Sequence, residues 1–305
     1  MPALSVTVSA PATSANLGPG FDALGLALDL HNTITLELRR PDAPTEVVIT
    51  GEGVGDLQTG ADNLICRAAW RLFGEVGAPR QPLGVRIHNR IPVRRGLGSS
   101  ATAIVGGLVA ANRVLGDPLD REAILRLAVE LEGHPDNVCP ALFGGFQVSV
   151  QDGPNTHHVC LPTPPGLRAV VCVPNFEVGT AEARACLPAT YSRADAVFNL
   201  SRCALLAAAL STGRTDLLGA SMRDRIHQPY RSSLIPGFDA ALEGAISAGA
   251  HGACLSGSGS TLLAFASDRF EAIGAAMVEA ITAAGGSARS LTLDVDHRGT
   301  AVLAE

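Results

Sequence analysis

The sequence contains no lysine, and all 23 of its basic residues are arginines. This absence excludes Schiff-base chemistry, the phosphate-binding lysine of a Walker A loop and the strand lysine of the protein kinases. The arginines form no basic block, and the net charge is −6. The charge balance therefore argues against nucleic acid or an anionic membrane as the main partner.

Long apolar runs and paired cysteines are also missing. No run reaches the roughly 18 residues of a membrane-spanning helix, and the N-terminal residues lack the basic-then-apolar order of a signal peptide. The seven cysteines are scattered, odd in number and without a C-x-x-C pair. They are typical of buried thiols in a reducing cytosol rather than of disulfides or zinc ligands, so we expect a cytoplasmic protein.

Hydrophobic residues make up 47% of the 305 positions, which suits a substantial core and, more naturally, two domains. Their spacing predicts strands at 4–8, 33–40, 45–51, 83–91, 143–151, 168–173, 252–256 and 261–266, with two more closing the chain. It predicts helices at 62–77, 99–115, 120–133, 180–187, 193–211, 236–249 and 268–284. Antiparallel strands with helices segregated between them indicate an α+β fold.

A turn-rich segment, DGPNTHHVCLPTPPG, follows the predicted strand 143–151. Its glycines and prolines place a domain boundary near 155–166. The sequence therefore predicts one domain over residues 1–160 and a second over residues 161–305.

The stretch IPVRRGLGSSATAIVGGLVAANRVL (91–115) joins a predicted strand to a predicted helix. Gly96 and Gly98 allow a tight turn with exposed backbone N–H groups, and Ser99 or Ser100 is expected to cap the helix. A helix N-terminus with free N–H groups binds anions. The pattern predicts a phosphate site without a lysine; the alternative is a glycine turn before a buried helix.

Two arginines and two further segments favour the phosphate site. Arg94 and Arg95 add positive charge beside the glycines. The segment 9–28 is too rich in Gly, Pro, Ser and Asn for a plain strand or helix. Residues 254–267 form a second glycine–serine turn between apolar strands, where backbone N–H groups can meet an anion.

These three segments, in this order, resemble the three motifs of the GHMP small-molecule kinases, with P-x-x-x-G-L-G-S-S from Pro92 to Ser100. The flanking words PATSANLGPGFDALGLAL, LEGHPDNVCPALFGGFQ, VPNFEVGTAEARACLP and QPYRSSLIPGF resemble the homoserine kinases of that superfamily. The resemblance covers roughly residues 5 to 266. It departs at Ser260, where that family usually has proline, and we expect a slightly looser turn there.

The resemblance implies a two-domain GHMP kinase fold, with an N-terminal ATP-binding domain like domain 2 of ribosomal protein S5 and a ferredoxin-like C-terminal domain. It implies transfer of phosphate from MgATP to the side-chain hydroxyl of L-homoserine. Small molecules are then the expected partners, together with a possible homodimer.

The resemblance also assigns ligands to residues of the first domain. Those matching nucleotide-contact positions are Asn63, Pro92, Arg94, Arg95, Gly96, Leu97, Gly98, Ser99, Ser100 and Ala101. Ser100 and Glu132 match the ligands of Mg²⁺. Glu132 ends a predicted helix, where the dipole disfavours a carboxylate, so a positive group is expected nearby. The alternatives are a solvated glutamate and, for Asn63, a helix cap.

The homoserine contacts implied by the resemblance are Asn16, Asp22, His134, Thr180, Arg184, Arg231 and Gly257. A substrate carboxylate suits the guanidinium groups of Arg184 and Arg231. The ammonium suits Asp22, and Asn16 could orient the reacting hydroxyl. Without the resemblance, both arginines would be interpreted as solvated and His134 as a structural loop residue.

Catalysis is assigned to Asn16, Asp22 and Arg184. Several relatives use an aspartate assisted by a lysine, which this chain lacks, so Asp22 is a weak candidate for the base and direct proton transfer to the phosphate is the alternative. Three competing functions stay open: a kinase for shikimate, mevalonate or another alcohol, a non-catalytic ligand sensor, and a simple binding module.

Overall fold

The computed structural model describes residues 5–303, which form two β-sheets with helices packed against them. The strands of the first sheet are β1 (Ser5–Ala15), β2 (Leu24–Leu38), β3 (Glu46–Gly51), β4 (Leu83–Asn89), β5 (Phe146–Asp152), β6 (Asn155–Leu161) and β11 (Ala301–Val302). The strands of the second sheet are β7 (Arg168–Pro174), β8 (Gly252–Leu255), β9 (Leu262–Ala266) and β10 (Ala288–Leu293).

The helices fall mostly where the apolar spacing predicts them, with ends shifted by a few residues. The longer ones are α1 (Leu64–Glu75), α2 (Ser99–Val114), α3 (Arg121–Glu132), α4 (Pro135–Phe143), α5 (Thr180–Ala185), α6 (Arg193–Thr212), α9 (Phe238–Ser247) and α10 (Phe270–Ala283). The short turns of helix are α7 (Leu218–Ser221), α8 (Gln228–Arg231) and two 3₁₀ segments, Thr215–Leu217 and Ser232–Leu234.

The prediction that segment 9–28 is neither strand nor helix is wrong for most of its length. β1 continues to Ala15 and β2 starts at Leu24, so only the connection between them is a loop. Proline cannot donate to a strand ladder, and the pairing of β1 with β2 shifts register between Pro11 and Ala12. The bulge admits the proline and lets the strand continue. Residue 4 of the predicted strand 4–8 lies outside the described residues.

The expectation that β3 belongs to an antiparallel pairing is also wrong. β3 pairs with β4 in parallel, from Glu46 opposite Gly84 to Gly51 opposite Asn89. The intervening chain contains α1, which crosses from the end of one strand to the start of the next, as parallel neighbours require. The other pairings of this sheet are antiparallel.

The second sheet has the strand order β10-β7-β9-β8 with every pairing antiparallel. Numbered within the sheet, this order is fourth, first, third, second, with helices between the first and second strands and between the third and fourth. That is the ferredoxin-like arrangement that the resemblance implies.

The turn-rich segment after β5 contains a strand that sequence patterning missed. β6 pairs with β5 from Phe146 opposite Leu161 to Asp152 opposite Asn155. The chain passes from the first sheet to the second between Leu161 and Arg168, but β11 returns to pair with β1. The division into residues 1–160 and 161–305 stays a prediction.

α2 is buried on several sides, which fixes its position against the sheet and α1. A Cβ added at Gly106 would lie 2.5 Å from Cδ1 of Ile34 on β2, and one at Gly107 would lie 2.8 Å from the backbone oxygen of Ile65 on α1. Small residues on α2 therefore allow the sheet and α1 to approach closely. Because the glycine loop leads directly into α2, the packing of this helix also fixes the position of the loop.

α4 is absent from the sequence prediction. It begins with Pro135 at its first position, where proline suits a helix start, and it follows α3 after only two residues. Its short length and the internal Pro140 hide the helical spacing. In residues 5–303, α6 is the one helix whose length and composition would suit a membrane span, a property that helices of protein cores share.

Candidate active site

A cavity of about 440 Å³ lies where the β1–β2 loop, the glycine loop, α5 and the β8–β9 turn meet. The predicted site residues that line it are Asn16, Asp22, Asn63, Arg94, Arg95, Gly96, Gly98, Ser99, Ser100, Glu132, His134, Thr180, Arg184, Arg231 and Gly257. Pro92, Leu97 and Ala101 are not in its lining. Leu97 and Ala101 are fully buried in the core, so these two support the loop from behind.

The glycine loop ends in an open helix N-terminus. Neither serine caps α2, contrary to the prediction. Gly98 is the N-cap residue, at φ 68°, and among residues 5–303 no side chain accepts a hydrogen bond from the first turn. Ser99 and Ser100 are instead the first residues of the helix. The first N–H groups of a 16-residue helix therefore lie at the cavity without a side-chain cap, as an anion site requires.

The loop is pressed against two other parts of the site. A Cβ on Gly98 would lie 1.9 Å from Oγ1 of Thr13, and one on Gly96 would lie 2.2 Å from the backbone oxygen of Ser256. Oγ of Ser256 donates to the oxygen of Gly96 at 2.6 Å. The segment around Gly96 is thus held directly by the β8–β9 turn.

Ser260 does not loosen the β8–β9 turn in the way that its substitution for proline led us to expect. Its buried hydroxyl donates to the backbone oxygen of Phe176 at 2.6 Å, and the next N–H, of Thr261, donates to the oxygen of Arg95 at 3.1 Å. The serine therefore ties the turn to the segment after β7 and to the glycine loop.

Arg94 and Arg95 differ in their surroundings. Arg94 is exposed and lies 3.5 Å from the carboxylate of Glu177. Nε of Arg95 is buried and, within residues 5–303, has no hydrogen-bond partner. A buried guanidinium donor without a partner beside an open helix N-terminus fits an anionic ligand.

Ser100 and Glu132 meet at the start of α2. Oγ of Ser100 donates to Oε2 of Glu132 at 2.8 Å, across 32 residues of sequence. Burial raises the pKa of Glu132 above its ordinary value, although the hydrogen bond from Ser100 and the charge of His134 oppose the shift. The prediction of a positive neighbour for this carboxylate agrees with the placement of His134.

His134 is the N-cap residue of α4, where a loop residue was expected. Its Nδ1 lies 2.5 Å from Oδ1 of Asp136, whose side chain is 2% exposed. Burial alone would lower the pKa of His134, but the hydrogen bond to Asp136 and the charges of Asp136 and Glu132 outweigh it and raise the pKa. Asp136 also lines the cavity, and only the neighbouring sequence EGHPDN could have pointed to it.

The predicted substrate groups Arg184 and Asp22 are bonded to each other. Nη2 of Arg184 donates to Oδ1 of Asp22 at 2.7 Å, and Nη1 donates to Oδ2 at 3.1 Å. Asp22 has φ 56°, and its N–H donates to Oδ1 of Asn16 at 3.1 Å. Asn16, at φ 68°, in turn donates to the oxygen of Gly257 at 2.9 Å. The β1–β2 loop is therefore held by the side chain of Arg184 from α5 and by the backbone oxygen of Gly257 in the β8–β9 turn.

Arg231 is buried, with 2% of its surface exposed, which excludes the alternative of a solvated helix residue. Nε donates to the oxygen of Ala183 at 2.9 Å, and Nη1 donates to the oxygen of Gly257 at 3.1 Å. The ring of Phe21, which sequence reasoning missed, lies 5.3 Å from the guanidinium carbon of Arg231 and 5.5 Å from that of Arg184. The position of Phe21 directly before Asp22 in the sequence was the signal that could have identified it.

Two predicted residues have plain structural roles in addition to lining the cavity. Asn63 caps α1 by accepting from N–H of Ile65 at 3.0 Å, and its Nδ2 donates to the oxygen of Gln58 at 2.7 Å. Thr180 is the exposed first residue of α5.

Comparisons with known proteins agree with this architecture. The family models of the GHMP kinase N-terminal and C-terminal domains match residues 63–145 and 206–281. Homoserine kinase of Moorella thermoacetica is 48% identical over 91% of this chain and 93% of its own, and that of Synechocystis sp. is 45% identical over 98% of each. The crystal structure of homoserine kinase from Cytophaga hutchinsonii is 35% identical, has a TM-score of 0.88, and covers 98% of this chain and 97% of its own.

These matches extend over both sheets and the cavity between them. They confirm the predicted two-domain GHMP kinase fold and the predicted enzyme class, an ATP-dependent kinase. The chain belongs to the GHMP kinase family and, within it, to the homoserine kinases.

Proposed function

We propose that this kinase transfers the γ-phosphoryl group of ATP to the side-chain hydroxyl of L-homoserine, giving O-phospho-L-homoserine and ADP, a step in threonine biosynthesis. Relatives named homoserine kinase, 48% and 45% identical to the chain, support this substrate. The observation that carries the proposal is a single cavity that contains both an uncapped helix N-terminus and a cluster of Arg184, Asp22 and Arg231. The first suits a phosphate chain, and the second suits a zwitterionic amino acid.

The nucleotide phosphates would bind at the glycine loop. Backbone N–H groups of Ser99 and Ser100 lie at the uncapped start of α2, where the helix dipole favours negative charge. The buried Nε of Arg95 supplies a donor without a partner in residues 5–303. Together these donors replace the lysine that other phosphate loops use.

Ser100 and Glu132 would hold Mg²⁺. A hydroxyl and a carboxylate 2.8 Å apart are hard oxygen donors of the kind that Mg²⁺ binds through one or two protein groups plus waters and substrate phosphates. The bound ion would neutralise charge that develops on the phosphate oxygens. The raised pKa of Glu132 fits a partly buried carboxylate whose desolvation outweighs the hydrogen bond from Ser100 and the charge of His134.

The amino-acid groups of homoserine would bind beside the β1–β2 loop. Arg231 donates to protein groups through Nε and Nη1, and within residues 5–303 no protein acceptor is bonded to its Nη2. The Arg184–Asp22 pair offers one group of each sign, so it can bind the carboxylate and the ammonium of one zwitterion. His134 and Asn16 line the same cavity and can donate to the substrate and orient its hydroxyl.

The test is ADP release from MgATP by the purified chain with L-homoserine, D-homoserine, L-threonine, L-serine, shikimate and mevalonate. We expect strong turnover with L-homoserine alone. Turnover with shikimate or mevalonate instead would refute L-homoserine as the substrate but would leave the assignment as a kinase intact. Binding of ATP without turnover of any alcohol would indicate a ligand sensor and refute the enzyme.

A matched pair of variants tests the amino-acid cluster. Arg184→Met removes a bidentate pair at the cavity, whereas Arg214→Met removes an equivalent surface pair with Asp216 whose bonds measure 2.8 and 2.7 Å. We expect the KM for homoserine to rise about ten-fold or more in the first variant and to stay unchanged in the second, because only the first loses a charged substrate contact. Cytoplasmic location and a homodimer stay predictions.

A further inference from the structure

A fully buried imidazole connects two parts of the active site. His227, immediately before α8, has an exposed fraction of 0%. Its Nε2 lies 2.6 Å from the backbone oxygen of Gly18 in the β1–β2 loop, and its Nδ1 lies 3.3 Å from Nη1 of Arg231. The ring also packs 5.3 Å from the ring of Phe21.

The two partners determine the protonation state of this ring. A backbone oxygen can only accept, so Nε2 must carry a hydrogen. An arginine nitrogen can only donate, so Nδ1 must present its lone pair. The contacts of His227 therefore require the neutral Nε2–H tautomer.

A buried aspartate fixes the segment that carries the imidazole. The side chain of Asp224 is 0% exposed. Its Oδ2 accepts from N–H of His227 at 2.9 Å and of Gln228 at 2.7 Å, while Oδ1 accepts from Nδ2 of Asn199 at 2.6 Å and from N–H of Ile226 at 3.0 Å. Four donors on one carboxylate leave this turn little freedom.

Arg231 depends on this arrangement for its orientation. Its three protein acceptors come from different parts of the fold: the oxygen of Ala183, the oxygen of Gly257 and Nδ1 of His227. The guanidinium is planar, so these contacts set the direction of Nη2. Two of the three also bond the β1–β2 loop: His227 through the oxygen of Gly18, and the oxygen of Gly257 by accepting from Nδ2 of Asn16. His227 is the one of these two that makes both bonds through its side chain.

We propose that His227 is a positioning residue for the phosphoryl acceptor: as a neutral imidazole it orients the guanidinium of Arg231 and joins it to the loop that carries Asn16 and Asp22. The inference rests on the proposed function for the identity of the acceptor. His227 touches neither the reacting atoms nor the nucleotide loop, so its replacement should weaken binding of the alcohol and leave MgATP binding unchanged.

Protonation of the ring would break the arrangement. A hydrogen on Nδ1 would point at Nη1 of Arg231 and place two positive charges side by side. The charged groups that face the ring are Asp224 from its own segment, Arg231 from α8 and Asp22 from the β1–β2 loop. Burial, together with the charge of Arg231, lowers the pKa of His227 even though Asp224 opposes the shift, which keeps the ring neutral.

The test compares two replacements of His227 with a control. His227→Gln keeps a donor near the Nε2 position but loses the acceptor for Arg231, and His227→Asn keeps an acceptor near the Nδ1 position. His251→Gln removes a half-buried imidazole that bonds Ser267 and does not line the cavity. KM for L-homoserine, KM for MgATP, kcat and the melting temperature are measured for each.

In His227→Gln we expect the KM for L-homoserine to rise about ten-fold or more, as loss of a hydrogen bond to a charged group predicts, with the KM for MgATP unchanged. His227→Asn should show a smaller rise, and the control none. An unchanged KM for homoserine in His227→Gln overturns the proposal. Equal increases in both KM values with a matching fall in melting temperature also overturn it, because they indicate a purely structural residue.

A second measurement uses the wild-type protein and does not depend on the activity of any variant. ¹⁵N NMR of histidine-labelled wild type should show one ring that stays in the Nε2–H tautomer from about pH 6 to pH 8. A charged ring or an Nδ1–H tautomer overturns the proposal.

If the wild type turns over another alcohol and not homoserine, the proposed function fails, and the KM for that alcohol becomes the quantity that His227→Gln must raise.

Discussion

Gly98→Ala is the most direct perturbation of the phosphate loop. Gly98 has φ 68°, and the added Cβ would lie 1.9 Å from Oγ1 of Thr13. Thr13 is fully buried and donates to Oδ1 of Asn137 at 2.8 Å, so its side chain has little room to turn away. The loop itself must therefore move, and the N–H groups at the start of α2 move with it.

Two terms set the size of the effect. An alanine in the left-handed region costs about 1–2 kcal/mol of stability. Non-bonded heavy atoms need about 3.5 Å of separation, so the collision demands a shift of about 1.6 Å. A misplacement of about 1 Å at a reacting group costs about a hundred-fold in rate, and we expect at least that loss in kcat/KM for MgATP.

Gly116 provides a matched control at the other end of α2. It has φ 85°, and an added Cβ would meet no atom within 4 Å. Gly116→Ala therefore carries the same backbone cost without the collision. Steady-state kinetics and thermal unfolding of both variants separate the two terms, because only Gly98→Ala should change the kinetics with MgATP.

A double variant tests the cause of the loss. Thr13→Ala with Gly98→Ala removes the clashing hydroxyl, and the nearest remaining atoms of Thr13 and Asn137 would lie 3.1 Å from the new Cβ. We expect the double variant to recover about ten-fold of the lost kcat/KM, as partial relief of a misplaced loop predicts. Equal kinetics for Gly98→Ala and Gly116→Ala would refute the placement of the nucleotide at this loop.

Further predictions concern three carboxylates. Glu132→Gln should raise the Mg²⁺ concentration for half-maximal turnover about ten-fold or more, since a charged ligand is lost; an unchanged requirement would place the metal elsewhere. Asp22→Asn should reduce kcat by orders of magnitude if Asp22 is the base, whereas a modest loss would show that it only binds. Asp296 accepts from His31 and from N–H of Arg298 and Gly299; burial would raise its pKa, but these bonds outweigh it and lower the pKa. Asp296→Asn should therefore reduce the free energy of unfolding at pH 7 by about 1–3 kcal/mol, and this difference should vanish as the pH falls through the lowered pKa.

Sequence patterning predicts elements whose spacing is long and regular. α1, α3 and α10 each bury one apolar face, and α2 is buried on several sides. The predicted ends of all four helices lie within about two residues of the observed ones. α4 has nine residues with an internal proline, too few for a period to be seen. β6 alternates between exposed and half-buried positions without an apolar face, so composition suggested a turn.

The site residues were predicted by type, but their partners were not. Arg184 and Asp22 are 162 positions apart in the chain, and each was assigned to a substrate charge rather than to the other. Arg231 was assigned to the substrate carboxylate through the resemblance alone, because a four-residue helix offers no period from which burial can be inferred. Contacts of this kind depend on how α5, α8 and the β1–β2 loop pack together, which local sequence does not encode.

The residues that line the cavity limit which groups can accept the proton of the substrate hydroxyl. Its cations are Arg94, Arg95, Arg184 and Arg231, and a guanidinium stays protonated at neutral pH, so none of them can accept a proton. Nδ1 of His134 is bonded to the carboxylate of Asp136, so the nitrogen of this ring that could accept the proton is Nε2. Asp22 accepts from Arg184 through both oxygens, so it can act as a base only if substrate binding displaces part of that pair. A modest loss in Asp22→Asn would therefore leave Nε2 of His134 or the transferred phosphate as the proton acceptor. A loss of several orders of magnitude would require Arg184 to turn towards the substrate carboxylate during turnover.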